Sequence, residues 1–244
     1  MSRLNERVAD AIRFFWASRE KQKEMQGAIT GKRDYGSRGA VTGAKQMDGF
    51  ISLVCELLME SGLPQDTIFY TKAKVVLPGF FRATKEWDLL AVANGHLLAS
   101  VEFKSQVGPS FGNNFNNRTE EALGSATDLW TAYREGAFVE SPRPWLGYLM
   151  LLEKAEGSLT PVDVKEPHFR VFDEFRGASY AKRYELLCRR LVRERLYDAA
   201  CLMLSDSEGG RGGKYAEPAR DLRFQTFAAS LRGHASAFAD TLDG

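Results

Sequence analysis

Asp88, Glu102, Lys104 and Gln106 are the residues of this chain whose types and spacing could do chemistry. Thirteen residues separate Asp88 from Glu102, and Glu102-Phe103-Lys104 reads acid, spacer, lysine. Two carboxylates can hold a hard cation such as Mg²⁺, which keeps several waters and takes phosphate oxygens as further ligands. A cation so held can polarise a phosphodiester and activate water against it. The carbonyl of Phe103 is a third candidate ligand. Alternate residues of a strand share a face, so Glu102, Lys104 and Gln106 project together. The Lys104 charge then sits where a phosphorane would gather negative charge and a water must be oriented. Gln106 would position solvent or phosphate.

These residues need a scaffold that brings Asp88 beside them. WDLLAVA and HLLASVEFKSQ are two apolar runs joined by Asn94-Gly95, a hairpin signal. In a regular ladder closed by a two-residue turn, Ala93 pairs with His96 and Asp88 with Val101, so Asp88 faces away from Glu102. A longer loop, or a bulge in one strand, shifts the pairing by one residue and turns both acids to one face. A metal centre therefore requires one of those two irregularities. The plainer alternative makes both acids and the lysine solvated ends of a surface hairpin.

Around the hairpin the pattern predicts helix, three strands, helix, strand. Residues 3–26 and the Met47–Leu58 stretch carry helical apolar spacing, separated by a glycine-rich loop over 27–45. TIFYTKAKVVL reads as a strand before the Pro78-Gly79 turn. VGPSFGNNFN (107–116) reads as a polar loop, with Asn117 or Thr119 capping a helix that runs to about Arg134. WLGYLMLLE reads as a buried strand, residues 179–204 as one long helix, SDSEGGRGGKY as a loop, and a last helix starts near Asp221. The expectation is one α/β domain over 1–244, with a core at about 44–153 and helical additions at 1–43 and 154–244.

Composition narrows the function. Hydrophobic residues are 44% and charged residues 27% of 244, ordinary for a globular chain. No apolar run approaches the ~20 residues of a membrane span, and the N-terminus lacks a signal-peptide core, so the cytoplasm is expected and no membrane partner. Cys55, Cys188 and Cys201 lack CxxC spacing and read as buried helical thiols; His96, His168 and His234 form no metal motif. Gly31-Lys32 and Gly213-Lys214 lack the rest of a phosphate-binding loop. The net charge of +1 names no partner, but Lys182, Arg183, Arg189, Arg190, Arg193 and Arg195 form a local basic stripe.

The order of elements, with acids on the second and third strands, resembles the PD-(D/E)XK nuclease core. GSRGAVTGAKQMDGF, EWDLLAV, SVEFKSQ, FGNNFNNRTEEALGSATDLW and CRRLVRERLYDAA look like the XhoI family of type II restriction endonucleases along nearly the whole chain. Trp87 stands where the nominal motif has proline. The resemblance implies a homodimer that cuts double-stranded DNA at CTCGAG with Mg²⁺ and leaves 5′ overhangs. It also implies a cognate DNA methyltransferase acting on the same site. Asp88, Glu102 and Lys104 are the positions that match the motif. A sequence-independent repair or junction nuclease, and a DNA-binding module without catalysis, remain open at this point.

Candidate DNA contacts follow. Asn113, Asn114, Asn116 and Asn117 could read adenine edges, and Arg118 guanine or phosphate; asparagine also suits loops for backbone reasons alone. Arg189, Arg190 and Arg193 could neutralise phosphates or form a solvated face. Arg38, Arg211 and Lys214 lie in glycine-rich stretches and are further candidates. Glu56 falls nearly opposite the apolar stripe of its helix and reads as solvated, whereas Trp130 and Trp145 read as core.

Overall fold

The computed structural model describes residues 3–30, 46–138 and 141–242. A five-stranded mixed sheet runs through its centre in the order β1 (Ile68–Phe69), β4 (Leu89–Ala93), β5 (His96–Gln106), β6 (Trp145–Glu153), β7 (Ala199–Ser205). β1, β4 and β5 form an antiparallel meander; β5, β6 and β7 are parallel. β6 and β7 are near-continuous apolar runs because helices cover both their faces. A separate hairpin of β2 (Val76–Pro78) and β3 (Thr84–Glu86) lies outside this sheet.

One face packs on α1 (Arg3–Thr30), α2 (Asp48–Glu60) and α7 (Phe224–Leu242), through Ile12, Phe15, Leu57, Val101, Phe103, Leu149, Cys201 and Phe227. The other packs on α3 (Phe111–Arg134) and α5 (Tyr180–Arg193), through Leu90, Phe115, Leu129, Tyr148, Met150, Tyr184 and Leu202. Two short helices, α4 (Glu156–Leu159) and α6 (Ser207–Arg211), complete the described chain. The architecture is mixed α/β, a central sheet with helices on both sides. No helix of the described residues is long and apolar enough to cross a membrane.

Four expectations about elements are corrected. The predicted 179–204 helix ends at Arg193: Arg195 turns the chain at φ 57° and Ala199–Ser205 is β7, so Cys201 is buried on a strand rather than a helix. A continuous apolar run suits a buried strand as well as a buried helix, and its pairing with β6 decides. FGNN is not loop: α3 begins at Phe111 after Ser110, because Phe111 and Phe115, four apart, bury against Tyr180 and Tyr184. TIFYTKAKVVL is broken by a 3₁₀ turn at Lys72–Lys74, so β1 joins the main sheet and β2 does not. The SDSEGGRGGKY stretch contains α6, with Asp206 capping it by accepting from the Gly209 N–H.

Candidate active site

Asn94-Gly95 is a two-residue turn with φ of 51° and 80°, and it closes Ala93 onto His96. By itself that register separates the acids. The strand then bulges: Val92 pairs with Leu97 but Ala91 pairs with Ala99, which leaves Leu98 as an extra residue on β5. Leu98 and Ala99 accordingly both face the core formed with α1, α2 and α7. Beyond the bulge Leu89 pairs with Val101, and continuing that register sets Asp88 opposite Glu102. Of the two irregularities that could unite the acids, the chain uses the bulge.

Asp88, Glu102 and Lys104 meet on the face that α3 and α5 cover. Lys104 Nζ is 2.5 Å from Glu102 Oε2 and 3.8 Å from Asp88 Oδ2. Asp88 Oδ2 also accepts from the Phe103 N–H at 2.8 Å. In an extended strand a residue's N–H and C=O lie along the same edge, so the Phe103 carbonyl borders Asp88 too. Glu102 is buried to 3% side-chain exposure, whereas Asp88 keeps 31% and opens the cluster to solvent.

Electrostatics bind the three together. Burial presses the Glu102 pKa upward, but Lys104 and Lys85 overcome it and hold the carboxyl below its ordinary value. Asp88 goes the other way, raised by desolvation and by the neighbouring Glu102 charge against the pull of Lys104. Desolvation lowers the Lys104 pKa, yet Glu102 and Asp88 outweigh it and keep the ammonium charged.

Lys85 is a functional candidate absent from the sequence reading. It lies on β3, its Nζ contacts Glu102 Oε1 and the Glu86 carbonyl at 3.1 Å, and it lies 4.1 Å from the Trp87 ring centroid. Nothing in its local spacing marks it, because the β2–β3 hairpin delivers it from outside the main sheet. The only signal was its place in KEWD, three residues before Asp88.

The other predicted residues separate by place. Gln106 is buried at the end of β5; its Nε2 donates to the Phe111 carbonyl at 3.0 Å and its Oε1 accepts from the Tyr184 hydroxyl. Asn113, Asn116 and Asn117 are exposed on the first turns of α3, and Asn114 is half-buried there. Arg118 pairs with Glu121 at 2.5 Å, and its charge is felt at Lys104. On α5, Arg189 pairs with Glu185 and Asp221, and Arg190 with Glu174, while Arg193 is exposed. Arg211 lies 3.4 Å from Glu20 of α1, and exposed Lys214 follows α6. Arg38 lies outside the described residues. Glu56 is exposed but paired with Arg7 at 2.5 Å, and Trp130 and Trp145 are core.

The donor set suits a hard cation. It offers carboxylate and carbonyl oxygens only, and among the described residues no group of three or more His, Cys, Asp or Glu gathers to cage a metal. Two carboxylates and a carbonyl leave coordination positions for water and phosphate, which is how Mg²⁺ binds at phosphoryl-transfer sites.

Comparison with known proteins gives the enzyme class of the chain. The relatives are type II restriction enzymes, and the chain is a type II site-specific deoxyribonuclease. It belongs to the family Restriction endonuclease XhoI, whose model matches residues 24–217. It is 58% identical over 207 residues to the type II restriction enzyme BstVI of Geobacillus stearothermophilus, covering 83% of this chain and 92% of that one. To AbrI of Azospirillum brasilense it is 51% identical over 164 residues, 67% of this chain and 73% of the relative. To XhoI of Xanthomonas vasicola it is 48% identical over 158 residues, 64% of each chain. No solved structure matches.

Proposed function

We propose that this endonuclease cleaves both strands of DNA at the palindrome CTCGAG, with Mg²⁺ as cofactor and Asp88, Glu102 and Lys104 as its catalytic cluster. The observation that carries the reading is the bulge at Leu98, which turns Asp88 and Glu102 to one face with Lys104 between them. Antiparallel β1, β4 and β5, the following helix α3 and parallel β6 agree with a PD-(D/E)XK core. The palindrome comes from the likeness to XhoI.

In this mechanism Asp88 and Glu102 hold the cation with their carboxylates and Phe103 with its carbonyl. The bound cation supplies Lewis-acid charge to the scissile phosphate. Lys104, kept protonated by the two acids, stabilises the charge that grows on the phosphate oxygens and orients the attacking water. Water attacks in line, without a covalent enzyme intermediate. Gln106 acts one step back, fixing α3 and α5 against the end of β5. Arg118, whose charge acts on Lys104, and the exposed asparagines on the same helix are the first candidates for DNA contact; Arg38, Arg189, Arg190, Arg193, Arg211 and Lys214 are secondary.

A palindromic target suits a two-fold homodimer, one half-site to each subunit. A methyltransferase modifying the same sequence would protect host DNA without forming a stable complex. The whole chain, 1–244, serves as one nuclease domain working in the cytoplasm. Digestion of plasmid DNA with Mg²⁺, followed by sequencing of the ends, tests this reading. Uniform 5′ overhangs within CTCGAG are expected; scattered ends, or uniform ends in another sequence, would overturn the target.

A further inference from the structure

The β2–β3 hairpin ends in Pro78-Gly79-Phe80-Phe81-Arg82, and two adjacent phenylalanines stand in solvent at its tip. Phe80 is 52% and Phe81 70% exposed, their rings edge to face at 5.2 Å. Single exposed apolar residues are common, but a contiguous apolar patch marks a contact surface. The tip is also built. Asp128 of α3, 2% exposed, accepts from the Phe80 N–H at 2.7 Å, the Phe81 N–H at 2.8 Å and Arg82 Nε at 2.7 Å. A Cβ at Gly79 would come within 2.5 Å of Asp128 Oδ2, so the turn closes onto that carboxylate only with glycine there. Burial resists ionisation of Asp128, but Arg82 and the two amides hold its pKa below the usual carboxylate range. A buried, three-times-bonded carboxylate thus fixes the backbone of the turn that presents the two exposed rings.

The same hairpin touches the catalytic cluster. Lys85 of β3 contacts Glu102, and from Lys85 to Phe81 the chain reaches at most about 14 Å. α3 gives a comparable length. Arg118, whose charge is felt at Lys104, and Asp128, under the turn, lie ten residues apart, about 15 Å of helix. At about 3.4 Å per base pair, these lengths keep the rings within about four base pairs of a scissile phosphate placed at the cluster. The tip holds no unpaired acid to repel a polyanion: Arg82 is the one charge in the turn and pairs with buried Asp128. Lys72 and Lys74, which precede β2, and exposed Glu86 lie at the hairpin base.

We propose that the Phe80–Phe81 turn is a DNA-contacting prong that packs its rings against bases or sugars within about four base pairs of the scissile phosphate. Such rings add affinity through stacking and displaced water, independent of base identity. The assignment rests on the nuclease reading only in placing the phosphate at Asp88, Glu102 and Lys104.

The test compares the full-length Phe80→Ala/Phe81→Ala double variant with wild type. Binding to a labelled 20-base-pair CTCGAG duplex is read by anisotropy at several salt concentrations, with Ca²⁺ replacing Mg²⁺ and the duplex checked to remain uncut. Particle mass is read by light scattering. The expected result is affinity weaker by fivefold or more, with mass and the slope of affinity against salt unchanged, since no phosphate contact is lost. A smaller loss overturns the proposal. So does a loss accompanied by halved mass, which assigns the turn to a contact between copies, or by a changed salt slope. If wild type leaves CTCGAG intact in Mg²⁺, the target has failed rather than the prong, and the comparison runs on the sequence found at the mapped plasmid ends.

Discussion

Glu102 is buried and faces two ammonium groups, Lys85 on one oxygen and Lys104 on the other. A cation that takes a Glu102 oxygen must compete with one of them. Lys85→Met keeps the apolar stem over Trp87 and removes the charge. Breaking a buried pair typically costs ~3–5 kcal/mol, but Lys104 still neutralises Glu102, so a loss of about 2 kcal/mol is expected. That corresponds to a Tm roughly 4–8 °C lower in EDTA. Mg²⁺ should then raise the Tm of the variant more than that of wild type, because a competitor for the carboxylate is gone. Equal Tm values and equal metal shifts in thermal melts would contradict this role for Lys85. Legibility in the sequence divides the same residues. Glu102 and Lys104 share one strand, so their spacing announces a common face; Lys85 reaches Glu102 from another hairpin, and spacing along the chain is blind to that.

At the scale of elements, the bulge was legible as a requirement and not as a place. Parity stated that a two-residue turn needed a compensating extra residue, but β5 is apolar on both sides of Leu98 and any of several residues could have bulged. Pairing with β6 and packing on both faces make the choice. The start of α3 and the end of α5 were hidden for a related reason. Asn-rich sequence has weak helix propensity, which the Phe111 and Phe115 contacts override, and the apolar run of β7 carries no period. Gln106 shows how a strand position gains a role from its neighbours. Its amide ties β5 to α3 and α5, and Gln106→Ala would leave the Phe111 carbonyl and Tyr184 hydroxyl without those partners. Stability should fall by about 1–3 kcal/mol in denaturant titrations. Cleavage per folded molecule, measured below the melting range, should stay within about tenfold of wild type. Normal stability with cleavage lost would instead place Gln106 in the chemistry.

At the scale of the molecule, the two faces of the sheet divide the work. α1, α2 and α7 cover one face with apolar side chains, while α3, α5 and the β2–β3 hairpin cover the face that carries the cluster. The basic stripe on α5, prominent in the sequence, is largely engaged in ion pairs within the fold, where charge counting cannot see partners such as Glu174 and Asp221. The layered α/β order around the hairpin was legible because amphipathic helices and apolar strands alternate. The fifth strand was not. What the molecule does depends above all on whether Asp88, Glu102 and Lys104 act as one centre. Cleavage and binding of the same CTCGAG duplex by Asp88→Asn and Lys104→Ala decide that directly. Each variant should cut at least about a hundredfold more slowly than wild type in Mg²⁺, while its affinity for uncut duplex in Ca²⁺ stays within about fivefold. Cutting at the wild-type rate by either variant would contradict the site.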